Sequence, residues 1–242
     1  MIVSIMQPYF FPYIGYFQLI SNCDAFVIHD DVQYIKGGWV NRNRILVNGA
    51  PAYLTFPVLK GSQLLDINRR DYQLDRIVVK SLLRRVEGAY RHAPHFEETM
   101  DLVQDIMSFT NSNVAAFNTN LIRRIAQHLG LGMRIVESST LTKNGALRRE
   151  ERVIDICHVL GATHYVNAIG GTELYSAASF AQAGIALSFL ESTVSSYRQF
   201  GHEHVPRLSI IDVLMFNDRE NISTLLKLFR LRSPPGGDDK HE

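Results

Sequence analysis

The sequence predicts an α/β fold with a Rossmann-like parallel sheet, and two observations carry that prediction. Five short apolar segments rich in β-branched residues have the length and composition of buried strands. Helical stretches of about ten residues or more separate most of them, as in parallel sheets with crossover helices. The predicted strands are residues 2–6, 25–28, 133–136, 164–167 and 186–190. An all-helical structure or an antiparallel sandwich would contradict this prediction.

Two further features interrupt a plain β-α-β repeat. Residues 44–47 and 53–57 flank the turn-forming pair Asn48-Gly49, which predicts a small β-hairpin. Residues 74–129 show helical periodicity without a strong strand signal, which predicts a helical insertion. The remaining predicted helices are residues 16–22, 147–160, 173–183 and 209–229. We expect a single α/β domain over residues 1–232 and a disordered Pro/Gly-rich tail over residues 233–242.

The composition excludes several classes of protein. Of the 242 residues, 46% are hydrophobic and 20% are charged, as in ordinary globular proteins. A net charge of +1 gives no overall field that would attract nucleic acid or a membrane surface. There is no apolar run of about 18 residues and no basic leader before the first strand. Cys23 and Cys157 are isolated thiols, which favours a reducing compartment. We therefore expect a cytoplasmic protein that does not insert into membranes; its oligomeric state stays open.

The turn after the first predicted strand is a candidate binding site. Pro8 and Pro12 prevent the segment from continuing as regular strand or helix. Gly15 permits a close backbone approach where the next helix begins. In open α/β sheets, ligands bind beyond the carboxyl ends of the strands. The candidate substrate-binding residues here are Gln7, Tyr9, Tyr13 and Tyr16.

Three ionisable residues follow the second predicted strand and are the candidate catalytic residues. A carboxylate of Asp30 or Asp31 can serve as a general base or bind a divalent cation. The alternative is a structural one, because Asp is common in the turns that end strands. His29 is a third candidate base, and the alternative for it is a packed histidine.

The loop and hairpin that follow are dense in hydrogen-bond donors. Arg42 can make bidentate contacts to phosphate or carboxylate, and Lys36 can add a second positive charge. Strand alternation implies that two of the four side chains at 41–44 point away from any one ligand. Trp39 can stack on a sugar or base, or it can fill the core. The candidate binding residues of this segment are Lys36, Trp39, Asn41, Arg42 and Asn43.

Two later segments supply the remaining candidates. Paired glycines after the fourth predicted strand can form an anion-binding nest or a purely structural turn. The candidates in this segment are Asn167, Gly170, Gly171 and Tyr175. The second segment follows the fifth predicted strand, and its candidates are Tyr197 and Gln199. His202 and His204 would share one face of a strand, but no third ligand lies nearby in sequence, so we predict no metal site there. The cofactor stays unknown, and a nucleotide and a divalent cation both remain open.

Several of these motifs resemble those of a known family. MQPYFFPYIGYFQLI, DDVQY and GGWVNRNRI, together with segments 167–175 and 208–217, resemble the WbqC-like family of bacterial proteins. The resemblance spans nearly the whole chain. It implies a role in O-antigen, lipopolysaccharide or other surface-polysaccharide biosynthesis, and it favours a functional role for Asp30 and Asp31 over a structural one.

A second resemblance concerns nucleotidylyltransferases and class I aminoacyl-tRNA synthetases. In those proteins a His-x-Gly-His turn opens a helix after a strand and contacts nucleotide phosphates. Tyr13-Ile-Gly-Tyr16 occupies the comparable place here, and Ser192-Thr-Val-Ser-Ser-Tyr-Arg198 resembles their second signature. The resemblance implies a nucleotidyltransferase-like (HUP-type) scaffold and nucleotide binding. Tyrosine at both histidine positions is a poorer cation and proton donor at neutral pH, which puts adenylyl transfer in doubt.

These observations favour a transferase that acts on a nucleotide-sugar or an activated acyl or aminoacyl substrate. Asp30 or Asp31 would be the base for a sugar amine or hydroxyl, and Arg42 would bind phosphate. The alternative is a non-catalytic protein of the same pathway that binds a nucleotide-sugar or serves as a scaffold. The enzyme hypothesis predicts that Asp30→Asn, Asp31→Asn and Arg42→Ala each lower activity or affinity by at least about tenfold while leaving folding largely intact.

Overall fold

The computed structural model describes residues 1–132, 134–201 and 203–234. Within these residues the chain forms two sheets, with helices on both faces of the larger one. The strands are β1 (Ile2–Met6), β2 (Ala25–Ile28), β3 (Arg42–Val47), β4 (Ala50–Thr55), β5 (Arg134–Glu137), β6 (His164–Ala168), β7 (Ala186–Ser192) and β8 (Phe229–Arg232). The α-helices are α1 (Ile14–Ser21), α2 (Arg76–Tyr90), α3 (Phe96–Met107), α4 (Val114–His128), α5 (Arg149–Leu160), α6 (Ala177–Gln182), α7 (Ile210–Phe216) and α8 (Arg219–Leu226).

The larger sheet has the strand order β5-β2-β1-β6-β7-β8. The first five strands in that order are parallel, and β8 pairs antiparallel with β7 at one edge. This confirms the predicted α/β fold with a parallel sheet, and each of the five predicted strand segments corresponds to a strand. Met133, the first residue of the predicted segment 133–136, lies outside the described residues. The prediction that residues 209–229 are all helical was wrong at its end. Helix α7 ends before Asn217, a separate helix α8 follows, and the last predicted helical residue belongs to the strand β8.

The strand order reverses between β1 and β6, and there the sheet opens. β1 and β2 pair over four residues up to Met6 and Ile28. By contrast, β1 pairs with β6 only at Ile2 and Val3, so the two strands separate towards their carboxyl ends. A reversal of strand order leaves the carboxyl ends of these strands without a crossover connection above them, which is where ligands bind in such sheets.

The sheet is covered on both faces, as a parallel sheet requires. The larger core lies against α1, the hairpin and helices α2, α3, α4, α7 and α8, and it contains Phe10, Tyr72 and Phe117. The smaller core lies against α5 and α6, where Ile156 and Phe180 pack on the strands. Helices α2 to α4 correspond to the predicted helical insertion.

The predicted hairpin is formed by β3 and β4, with Asn48 and Gly49 both at positive φ, as a tight turn of this sequence requires. No helix of the described residues is long and apolar enough to cross a membrane. The single-domain boundary at residue 232 stays a prediction. Of the predicted disordered tail, residues 235–242 lie outside the described part of the chain.

Candidate functional site

A cavity of about 510 Å³ lies where β1 and β6 separate. Its volume suits a small-molecule ligand. The lining includes ten of the residues predicted from sequence, together with Arg44, Arg207 and several apolar side chains. The predicted residues in the lining are Gln7, Tyr9, Tyr13, His29, Trp39, Asn43, Asn167, Gly170, Gly171 and Tyr175. Segments far apart in sequence therefore meet at one edge of the sheet.

Within the described residues, the charged side chains that line the cavity are two arginines. Arg44 and Arg207 both contribute to its lining, whereas none of the described lining residues is an aspartate or glutamate. Burial raises the pKa of Tyr9, Tyr13 and Tyr175, so these hydroxyls stay protonated and can donate hydrogen bonds. Two guanidinium groups and several hydroxyl donors without a competing carboxylate form a surrounding suited to an anion.

The turn after β1 has a strained backbone that side chains of other segments hold in place. Phe11 has φ 41°, a left-handed conformation that is rare for a bulky side chain. The side-chain amide of Asn43 donates to the carbonyl oxygens of Phe11 at 2.8 Å and Phe10 at 3.3 Å. The hydroxyl of Ser209 also donates to the Phe11 carbonyl, at 2.8 Å. These three hydrogen bonds fix a conformation that the local sequence alone would not favour, and with it the position of Tyr9 and Tyr13.

Asn43→Ala is expected to lower the free energy of unfolding by about 2 kcal/mol, because the Phe10 carbonyl would lose its side-chain donor and the Phe11 carbonyl one of its two. Chemical denaturation of the purified variant measures this. Asn221→Ala is the matched control: its side chain is exposed on α8, so a change within about 0.5 kcal/mol is expected. Equal effects of the two substitutions would show that Asn43 does not stabilise the turn.

Arg44 and Arg207 are held next to each other by hydrogen bonds. Arg44 Nη2 donates to the carbonyl oxygen of Arg207 at 3.1 Å, and the backbone N–H of Ser209 donates to the Arg44 carbonyl at 2.8 Å. Arg207 has φ 57°, a left-handed conformation. Arg44 Nε is buried without a hydrogen-bond partner among the described residues. A buried donor of this kind favours an acceptor on a ligand.

Trp39 stands at the mouth of the cavity. Its side chain lines the cavity and is 39% exposed. The guanidinium of Arg44 lies over its ring at 5.8 Å from the centroid, and the Tyr53 ring is 6.4 Å away. The ring is therefore neither enclosed in the core nor remote from the cavity.

Because Trp39 is the sole tryptophan of the chain, its fluorescence is expected to change when a ligand fills the cavity. A fluorescence titration alongside calorimetry measures this. A ligand that binds by calorimetry without altering the emission would mean that Trp39 is remote from the bound molecule.

The β6 side of the cavity is built on Asn167, which is almost fully buried. Its amide donates to the hydroxyl of Tyr165 at 2.8 Å, and its oxygen accepts from the N–H of Ala168 at 2.6 Å. A Cβ on Gly171 would lie 3.2 Å from Asn167 Cγ, so the close approach of this turn favours glycine. The Tyr165 hydroxyl donates to Tyr175 at 3.3 Å, which extends the polar network to the cavity wall.

The two aspartates after β2 have different surroundings, and neither lines the cavity. Asp30 is buried and accepts from the N–H and hydroxyl of Ser139 and, at 3.4 Å, from the amide of Asn68. It ties the end of β2 to the segment after β5. Asp31 forms an ion pair with Lys143, whose Nζ lies 2.8 Å from Oδ2, and its Oδ1 lies 4.0 Å from His29 Nε2.

The remaining predicted site residues lie outside the cavity lining. Tyr16 is fully buried in the core and donates to the Gln7 carbonyl at 3.0 Å. Asn41 is buried and bonded to Tyr34 and Phe56. The other such residues are Lys36, Arg42, Tyr197 and Gln199.

These four residues are exposed or bonded to other parts of the protein. Lys36 is exposed. Arg42 donates to the carbonyl groups of Gly37 and Gly38 and stacks on Tyr53. Tyr197 and Gln199 both donate to the buried carboxylate of Asp212, at 2.5 Å and 2.7 Å. In the described part of the chain, no group of three or more His, Cys, Asp or Glu residues is arranged to hold a metal ion, and His202 lies outside that part.

Comparison with known proteins identifies the family. The WbqC-like protein family matches residues 7–224. The uncharacterized protein Rv1507c of Mycobacterium tuberculosis (strain ATCC 25618 / H37Rv) is 31% identical over 219 residues, which cover 89% of this chain and 93% of the relative. No solved structure matches. The matched segment contains the β1 turn, the hairpin and the β6 turn that together line the cavity, and this chain belongs to the WbqC-like protein family.

Proposed function

We propose that this protein is a transferase of O-antigen or related surface-polysaccharide biosynthesis. Its donor would be a nucleotide-sugar or an activated acyl or aminoacyl compound whose anionic part binds in the cavity between β1 and β6. The observation that carries the proposal is the charge of that cavity, where Arg44 and Arg207 have no carboxylate beside them in the lining.

The arrangement of donors supports an oxyanion of the phosphate class. A guanidinium matches the geometry of phosphate oxygens, and the unpartnered Nε of Arg44 gains an acceptor when such a group binds. The apolar part of the lining, with Trp39 at its mouth, can hold the rest of the donor. The free thiols Cys23 and Cys157 support the proposed cytoplasmic location.

Adenylyl transfer of the His-x-Gly-His kind receives no support. Of the two positions that resemble that motif, Tyr13 lines the cavity, but Tyr16 is enclosed in the core and bonded to the Gln7 carbonyl. A group in that place cannot contact a nucleotide phosphate without repacking of the core. The same feature favours the second candidate function, a non-catalytic protein that binds a nucleotide-sugar.

A ligand screen tests the proposal. Thermal unfolding should be measured with nucleotides, nucleotide-sugars, acyl donors and pyrophosphate, since a ligand of the native state raises the apparent melting temperature. We expect phosphorylated compounds to stabilise the protein and their uncharged sugars not to. Failure of every anion to stabilise the protein would contradict the proposal.

A second step separates the two candidate functions. Each stabilising donor is incubated with amino sugars and hydroxyl acceptors, and products are detected by mass spectrometry. Transfer to an acceptor supports the enzyme, and binding without transfer to any acceptor supports the binding protein.

A further inference from the structure

The imidazole of His29 is placed between the cavity and the partly buried carboxylate of Asp31. The ring lines the cavity, while its Nε2 is buried and has no hydrogen-bond partner among the described residues. Oδ1 of Asp31 is likewise buried without a partner and lies 4.0 Å from Nε2. Because Nε2 faces the protein interior, Nδ1 is the ring nitrogen available to a ligand.

Asp31 is held in place at its carboxylate and at its backbone carbonyl. Lys143, whose side chain is only 7% exposed, donates to Oδ2 at 2.8 Å and also to the carbonyl of Ser138. Arg152 of α5 donates to the backbone carbonyl of Asp31 at 2.9 Å. Burial alone would raise the pKa of Asp31, but the hydrogen bond and charge of Lys143 outweigh it, so the pKa lies below its ordinary value. Asp31 is therefore an anion beside His29.

The surroundings of His29 favour the neutral form of the imidazole. Burial lowers its pKa to about 4, and the charges of Arg152 and Lys143 act in the same direction, against those of Asp31 and Asp30. A neighbouring carboxylate favours the tautomer with the proton on Nε2. That tautomer leaves the lone pair of Nδ1 free to accept a proton.

We propose that His29 is the proton acceptor of the transfer reaction and that Asp31, itself held by Lys143, is its positioning residue. This inference rests on the proposed function. An acceptor hydroxyl or amine would form its bond to the electrophilic carbon of the donor and lose its proton to His29 Nδ1. The leaving group departs with the electron pair of its bond to that carbon. The resulting imidazolium has Asp31 at its Nε2 side, in the relation of base to orienting group that activates nucleophiles in other enzymes.

The arrangement also couples the base to the donor. An anion bound near Arg44 and Arg207 favours the charged form of His29 and so raises its proton affinity. His29 would then become an effective base only when the donor occupies the cavity, because a base works best when its pKa is near the working pH.

Proton NMR of the histidine rings tests this, with inorganic pyrophosphate as the probe. The chain has nine histidines, and the resonance of His29 is assigned from its absence in His29→Gln. Saturating pyrophosphate is expected to raise the midpoint of its titration by at least about one pH unit. With pyrophosphate bound, Asp31→Asn is expected to lower that midpoint by about half a unit or more, because the nearby negative charge is gone.

Calorimetry provides a measurement that does not depend on the folding of the Asp31 variant. In buffers of different ionisation enthalpy, pyrophosphate binding below neutral pH should take up more protons in the native protein than in His29→Gln, since the protons exchanged by pyrophosphate itself are common to both. His164→Gln is the matched control. That partly buried histidine lies at the start of β6, whereas the cavity lies at the end of β6, and its ring is hydrogen-bonded to Ser188. This variant should leave the uptake unchanged.

The outcomes separate this inference from the proposed function. Pyrophosphate that binds without shifting the His29 titration overturns the role of His29 and leaves the anion site intact. An unchanged midpoint in a folded Asp31→Asn variant overturns the positioning role of Asp31. Absence of pyrophosphate binding overturns the anion site and this inference together.

Discussion

Replacing Arg44 or Arg207 by glutamine is expected to weaken pyrophosphate binding by at least about tenfold, or 1.4 kcal/mol, for each residue. Both side chains line the cavity, and glutamine removes the charge while keeping most of the side-chain length. A charge-assisted hydrogen bond to phosphate is stronger than a neutral one, so its loss should be visible in the dissociation constant. Calorimetry at fixed ionic strength measures the effect, and a melting curve for each variant shows that the fold is retained.

Arg42→Gln is the matched control for these two variants. Arg42 belongs to the same strand as Arg44, but it donates to the carbonyl groups of Gly37 and Gly38 and stacks on Tyr53 instead of lining the cavity. We expect its loss to change affinity by less than about twofold. This differs from the expectation drawn from sequence, which assigned phosphate binding to Arg42. A large loss with Arg42→Gln and none with Arg44→Gln would reverse the assignment of the two arginines.

The fold could be predicted from sequence because its signals are local. Each parallel strand is a short apolar segment between helices, and the pair Asn48-Gly49 marks the hairpin on its own. β8 could not be found in the same way. Its residues Phe229–Arg232 are separated from the end of α8 by two residues, and their pairing with β7 is a contact between distant parts of the chain.

The candidate site was predicted in part for the same reason. Motifs that directly follow a strand, such as Gln7 and Asn167, reach the carboxyl edge of the sheet through the strand itself. Arg207 carries no such signal, since its segment meets the hairpin through long-range contacts such as the hydrogen bonds from the Ser209 N–H to the Arg44 carbonyl and from Arg44 Nη2 to the Arg207 carbonyl. Tyr197 and Gln199 also follow a strand, but the buried carboxylate of Asp212 accepts hydrogen bonds from their side chains. Residue type and order cannot distinguish a donor facing a ligand from one facing another side chain.

The different surroundings of Asp30 and Asp31 could not be predicted from the local sequence. Asp30 and Asp31 are adjacent after β2, and the sequence assigns both of them the same alternatives. In the structure, one carboxylate bonds to Ser139 and Asn68, while the other lies between Lys143 and His29. Apart from His29, the partners come from the segment after β5 and from residue 68, which are not adjacent to the pair in sequence. The expectation that both substitutions leave folding intact therefore needs revision for Asp30.

Asp30→Ala is expected to lower the free energy of unfolding by about 3 kcal/mol. The buried carboxylate accepts from the N–H of Ser139 at 2.9 Å and from the hydroxyl of the same residue at 2.5 Å. Hydrogen bonds to a charged group are stronger than neutral ones, and alanine would leave the Ser139 N–H without its acceptor. The loss also removes one of the links between the end of β2 and the segment that carries Lys143, while the ion pair of Lys143 with Asp31 remains.

Chemical denaturation at neutral pH measures this effect, with Asp105→Ala as the matched control. Asp105 forms an ion pair with Arg124 in which both side chains are nearly half exposed, and such pairs contribute about 1 kcal/mol or less. The same substitution should therefore have a small effect at residue 105 and a large one at residue 30. If Asp30→Ala unfolds at the same denaturant concentration as the native protein but loses pyrophosphate affinity, the carboxylate serves the ligand and not the fold.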